Sequence, residues 1–239
     1  MKRIFAVMAL LFAVTALSGM HFTGGDNVHN LKIIAFGDSI TQGSALTTDM
    51  KNWTELLSER YGTEIINAGV AGNSSAQGLA RLERDVLSLR PDLVIINFGM
   101  NDSVLDGPHY VAVSQFADNI TQIVEEIRKA GAMPVLVTPN PIIEGNETSY
   151  YYSRHNKAVF TPYGGAQTVL NTYVQCIREI AKGTGTPLAD VNREWRNYNS
   201  FDLLITLKNS DKDDGVHPCA AGAELYARII GDVLYNLTM

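Results

Sequence analysis

Two short segments at opposite ends of the chain carry the groups that nucleophilic catalysis needs. Near the start, an apolar run leads straight into Gly37-Asp38-Ser39-Ile40-Thr41. A serine at a strand-to-helix turn has backbone N–H groups and a helix dipole beside it, and both favour a developing oxyanion. Taken alone, the tripeptide also reads as ordinary turn and N-cap chemistry. Near the end, Asp214-Gly215-Val216-His217-Pro218 sets a carboxylate three residues before an imidazole, with a glycine that permits a tight bend between them. In such a bend the aspartate accepts from His Nδ1–H and leaves Nε2 outward as a base, which is the half of a hydrolytic triad that a serine lacks. A capped helix start with a surface histidine is the plainer reading of the same residues. A calcium loop fits less well, because position 215 of the Asp211, Asp213 and Asp214 cluster is Gly and no Glu stands at the twelfth loop position.

Two segments between these ends supply donors. In Asn67-Ala68-Gly69-Val70-Ala71-Gly72-Asn73, Gly72 lets the backbone approach a substrate with its N–H free. In Gly99-Met100-Asn101-Asp102, Asn101 offers a side-chain amide. Together with the backbone N–H of Ser39, three donors from three strand ends can converge on one oxygen and form an oxyanion hole.

The elements that must position these groups follow from apolar patterning. Compact runs rich in Ile, Val and Leu occur at 32–36, 64–67, 93–98, 134–138 and 187–191, without the alternation of a half-exposed sheet, so strands covered on both faces are expected. Amphipathic segments at 50–60, 76–88, 111–129, 166–182 and 220–237 separate and follow them. In the third, Phe116, Ile120, Ile123, Val124 and Ile127 fall on one helical face. Five strands alternating with helices imply βαβ units, a parallel sheet and right-handed crossovers. Two connections are longer than the fold requires: 139–165, with Tyr150, Tyr151, Tyr152 and His155, and 193–216, with Trp195 and the charged run at 211–214. Both follow strands at the sheet edge where open α/β folds bind ligands.

Gly37-Asp38-Ser39, Gly72, Asn101 and Asp214-x-x-His217, in that order, resemble the SGNH hydrolases, also called the GDSL esterase and lipase family. The resemblance covers about residues 31 to 237. It implies a three-layer α/β/α sandwich of flavodoxin type, with Ser39 as nucleophile, His217 as general base and acid, Asp214 as its orienter, and Ser39, Gly72 and Asn101 as the oxyanion hole. It implies no metal and no cofactor. No Gly-x-Ser-x-Gly elbow is present, which agrees with a nucleophile placed early in the chain.

Composition sets the outer bounds. The chain has 239 residues, 46% hydrophobic and 18% charged, which excludes a disordered or low-complexity protein and allows one sizeable core. Lys2 and Arg3 precede an apolar stretch from Ile4 to Leu17, and small residues follow. This run is too short to span a bilayer and reads as a secretory signal peptide over residues 1–20, leaving a single domain from 21 to 239 and a secreted or periplasmic location. No cysteine lies near the expected cleavage region, which speaks against a lipid-anchored form. The net charge of −6, and the absence of any basic run after position 3, exclude nucleic acid and argue against charge-driven membrane binding. Cys176 and Cys219 can pair or stay free in an exported protein.

The expected activity is hydrolysis of carboxylic esters through an acyl-enzyme, on a small-molecule or carbohydrate substrate and with short-acyl or O-acetyl esters foremost. Lysophospholipase or thioesterase activity is the alternative. Asp38, Tyr151 and His155 are candidate substrate-binding residues, the last two from the tyrosine-rich connection. From a different class, Asp38-Ser39-Ile40-Thr41-Gln42-Gly43 is hydroxyl-rich enough to cradle a flavin phosphate, although it lacks GxGxxG or Walker spacing. An SGNH-like binding module without catalysis is a further alternative. His109 reads as a surface or loop residue.

Overall fold

The computed structural model describes residues 28–44, 46–144, 156–204 and 214–238. The expected signal peptide, Tyr151, His155 and the acidic residues Asp211 and Asp213 lie outside the described residues.

Five parallel strands form one sheet among the described residues: β1 (Ile33–Gly37), β2 (Ile65–Gly69), β3 (Leu93–Asn97), β4 (Met133–Val137) and β5 (Leu188–Ala189). Their order is β2-β1-β3-β4-β5, all pairs parallel. In chain order the helices are α1 (Ser39–Gln42), α2 (Trp53–Tyr61), α3 (Ser75–Asp85), α4 (Val113–Lys129), α5 (Lys157–Phe160), α6 (Ala166–Thr184), α7 (Val191–Trp195), α8 (Ser200–Leu204) and α9 (Ala220–Thr238). Helix α3 packs on α4 and α4 on α6, while α9 packs on α2, α7 and α8. The two groups make the outer layers of the α/β/α sandwich. Among the described residues no helix is long and apolar enough to cross a membrane.

The central strands behave as their composition demands. Every residue of β1 and β3 is buried, and Phe36 meets Phe98 edge-on with ring centroids 5.1 Å apart. All five apolar residues of the α4 stripe, from Phe116 to Ile127, are buried. The edge strand β2 departs from the expected two-sided cover, since only Ile65 is fully buried in it. Strand β5 has two residues instead of five, because Asp190 caps a new helix at once by accepting from the Arg193 N–H.

The order 2-1-3-4-5 reverses direction between β1 and β3, and ligands of open α/β sheets bind outside the strand ends at that reversal. Gly37 ends β1 and Asn97 ends β3, two and four residues before Ser39 and Asn101. A side chain at Gly37 would collide with Asn97 O at 2.5 Å and with Thr41, so glycine alone lets the chain turn from strand into α1 at this point.

Candidate active site

Ser39 opens α1 directly after its cap. Asp38 accepts from the Ile40 N–H through Oδ1 at 2.9 Å, and Gly43 closes the turn in the left-handed region at φ +81°. This one-turn helix fixes Ser39 at 7% exposure, with its hydroxyl 2.7 Å from His217 Nε2. The imidazole Nδ1 lies 2.6 Å from Asp214 Oδ2. Asp214 Oδ1 accepts from the backbone N–H groups of Val216 and His217, each at 2.9 Å. These two donors hold the carboxylate as an acceptor, so Nδ1 carries the ring proton and Nε2 presents its lone pair to the serine hydroxyl. The expected Asp-x-x-His bend thus forms, and it meets the serine 178 residues away in sequence.

The Asp214–His217 bend is pinned from two sides. Ile143 N–H donates to Gly215 O at 2.8 Å, and Asn140 Nδ2 donates to Val216 O at 3.0 Å. Asn140 is itself fixed by Tyr226 of α9, whose hydroxyl donates to Asn140 Oδ1 at 2.8 Å and accepts from the Asn140 N–H at 3.0 Å. Sequence reasoning missed both residues.

Gly72 adopts φ +78°, a conformation that an L side chain takes only with strain. Its turn docks on β1 through Val70 N–H to Gly37 O at 3.0 Å. Asn101 Nδ2 donates to Asn73 O at 3.0 Å, so the segments of Gly72 and Asn101 are joined directly. Its approach to Asp38 Oδ2, at 3.5 Å, is at the limit of a hydrogen bond and leaves one amide hydrogen weakly engaged. The loop carrying Asn101 hangs on the buried Asp102, which accepts from Ser75 N–H at 2.9 Å, Ser75 Oγ–H at 2.5 Å and Gly99 N–H at 3.2 Å. Burial pushes the Asp102 carboxyl up to about 6, against the opposing pull of its Ser75 and Gly99 donors.

Asp38, expected to touch substrate, sits elsewhere. It is 1% exposed, with one oxygen capping α1 and the other turned to Asn101, so it supports the site from behind. Burial raises its carboxyl to about 7; the Ile40 N–H and the His217 charge pull it down, and Asp102 pushes it further up. The hydroxyl-rich turn makes no phosphate cradle either. Thr41 is fully buried with its hydroxyl unpartnered inside the protein, and Ser39 is paired with His217.

A cavity of about 160 Å³ adjoins Asn101, walled by Met100, Val104, Pro108, His109 and Val216. The His109 ring also lies beside Gly72, 3.8 Å from where a Cβ there would stand, so this residue borders the site. Cys176 and Cys219 are both free thiols. Cys219 is buried and its thiol donates to Asp202 O at 3.2 Å, which is a packing role, and burial raises the Cys176 thiol to about 11.

Residues 35–225 match the model of the GDSL-like lipase/acylhydrolase family. The chain belongs to that family. As a GDSL-like acylhydrolase it is a serine ester hydrolase. Its sequence is 35% identical over 208 residues to the "Uncharacterized lipoprotein YqeF" of Bacillus subtilis, across 83% of this chain and 82% of that protein. It is 24% identical to an acetylxylan esterase of Geobacillus stearothermophilus, across 82% of this chain and 90% of the esterase. Among solved structures, the lipase/acylhydrolase from Enterococcus faecalis superposes with a TM-score of 0.67 at 26% identity, covering 87% of this chain and 95% of its own.

Proposed function

We propose that this GDSL-like acylhydrolase is an exported esterase for short-acyl esters, with carbohydrate O-acetyl esters as its substrate class. Ser39 Oγ bonds to the ester carbonyl carbon while its proton passes to His217 Nε2, and Asp214 holds the imidazolium that results. The N–H groups of Ser39 and Gly72 and the Asn101 amide receive the charge on the carbonyl oxygen. The tetrahedral adduct then expels the alcohol, which takes the proton from His217. Water repeats the sequence on the acyl-enzyme, giving up its proton to His217 and releasing the acid and free Ser39.

The observation that carries this reading is the continuous Ser39–His217–Asp214 hydrogen-bond line, at 2.7 and 2.6 Å. Short acyl groups are favoured by the cavity beside Asn101, whose 160 Å³ is of the size that takes up one small aromatic molecule. The acetylxylan esterase relative and the net charge of −6 point the same way. Residues 1–20 serve as the export signal.

Aryl esters from acetate to octanoate, followed by acetylated xylo-oligosaccharides, test the proposal. Hydrolysis should fall steeply beyond the shortest acyl groups, Ser39→Ala should abolish it with the fold intact, and the oligosaccharides should release acetate. A rise toward octanoate supports the lipid-directed alternative and overturns the short-acyl reading. Activity persisting in Ser39→Ala overturns the mechanism.

A further inference from the structure

Arg81 is a charged residue on the buried face of α3, and its guanidinium is 7% exposed. Only one of its bonds stays on its own helix, from Nη1 to Asp85 Oδ2 at 3.1 Å. The others leave it. Nη2 donates to Gly37 O at 2.8 Å, Nη1 to Ala68 O at 2.9 Å and Nε to Asn73 Oδ1 at 2.8 Å, while the guanidinium plane stacks on Phe36 at 4.5 Å. These acceptors are the end of β1 just before Ser39, the end of β2, and the residue after Gly72. Burying a guanidinium is costly, and an ion pair with Asp85 alone does not call for it.

We propose that Arg81 is the positioning residue of the oxyanion hole, acting on Asn101 through Asn73. Its Nε–H donates to the Asn73 side-chain oxygen, and the Asn73 carbonyl accepts one amide hydrogen of Asn101 at 3.0 Å. With that hydrogen held, the second is aimed by the amide plane. The same guanidinium ties down Gly37 O, which also anchors the Gly72 turn through the Val70 N–H. One planar group therefore sets all three donors against one another. Lysine cannot replace it, since a single ammonium has neither the fork nor the reach to meet acceptors on three elements. The proposal rests on the reading of Ser39, Gly72 and Asn101 as the oxyanion hole.

A double-mutant cycle on aryl acetate hydrolysis tests it. Arg81→Lys should lower kcat by roughly 30-fold with KM little changed, a loss of the size that follows misplacement of a positioned group. Affinity for a boronic acid, which mimics the tetrahedral adduct, should fall in parallel. In an Asn101→Ala background the same substitution should cost less than about 3-fold, because the group it acts through is gone. Equal losses in both backgrounds, or an Arg81→Lys enzyme with full kcat, overturn the proposal. Asn73→Ala keeps the guanidinium's bonds to Gly37 and Ala68 and serves if Arg81→Lys does not fold. It should cost about 10-fold in kcat, again only while Asn101 is present, and an additive or absent loss overturns the proposal. If Asn101→Ala itself keeps wild-type kcat, the oxyanion reading fails along with the proposal. A large Asn101→Ala loss combined with additive Arg81 losses leaves that reading standing and removes only the role of Arg81.

Discussion

The proposed nucleophile and its proposed base are held in different ways. Ser39, Gly72 and Asn101 lie at the ends of β1, β2 and β3, and buried charged groups lock them from beneath: Asp102 takes three donors, Arg81 gives four bonds, and Asp38 caps α1. His217 and Asp214 belong to no strand or helix, and their bend rests on neutral hydrogen bonds from Asn140 and Ile143, with Tyr226 behind. The nucleophile half is built into the sheet, whereas the base half is docked against it. A lost contact in the first should therefore cost stability together with rate, and one in the second mainly rate.

The largest effect joins the halves. His217→Ala should reduce kcat by at least ~10³-fold, as should Ser39→Ala, because the two act as one unit. Stopped assays with aryl acetate measure both, and a much milder loss in His217→Ala would detach the base half from the chemistry altogether.

Within the nucleophile half, Asp102→Asn places an amide where Ser75 and Gly99 present only donors. One of those donors loses its acceptor inside the core, so unfolding should become easier by about 2 kcal/mol. The accompanying fall in kcat should be about tenfold, through the Asn101 loop, in line with the cost of misplacing a catalytic donor. Urea denaturation and steady-state kinetics on the same preparation give both numbers. Unchanged stability would contradict the account of this half as charge-locked. For the base half, Tyr226→Phe removes the hydroxyl that fixes Asn140 and should cost ~1 kcal/mol of stability. Its kcat should drop about tenfold at constant KM, a larger rate effect per unit of stability than Asp102→Asn gives. The opposite ranking would overturn the comparison.

The same asymmetry governs what the sequence discloses. Strands β1, β3 and β4 fall within one or two residues of their apolar runs because buried parallel strands leave a continuous signal. Strand β5 does not, since Asp190 ends it by a capping choice that an apolar run cannot express. Ser39, Gly72, Asn101, Asp214 and His217 stand out because turn chemistry and short spacing mark them. Their supports Asp102, Asn140 and Tyr226 carry no such mark, since each acts through a partner 27 to 86 residues distant. Arg81 left one trace, a cation in the stripe formed with Gly78 and Leu82 on the buried face of α3. The substrate-binding roles expected of Tyr151 and His155 fall on residues outside those described, while His109, set aside as a surface residue, borders the cavity.

The smallest expected effect isolates the burial of charge in the nucleophile half. Asp38 has an ordinary carboxyl value of 3.8 when unfolded and about 7 when folded, with burial the main cause. The folded chain therefore binds this proton more tightly than the unfolded chain does. Its contribution to stability is fully present below about pH 4, declines as pH rises, and is lost once pH passes 7. Asp38→Asn keeps an N-cap acceptor for the Ile40 N–H and removes the ionisation. The variant should match the parent near pH 4 and exceed its Tm by a margin that widens as pH rises to 8. Subtracting the two Tm-against-pH curves leaves the Asp38 titration together with its coupling to Asp102. A difference that stays flat from pH 4 to 8 would mean that the Asp38 carboxylate is compensated in place by Asn101 and His217, and that the nucleophile half carries its buried charge without cost.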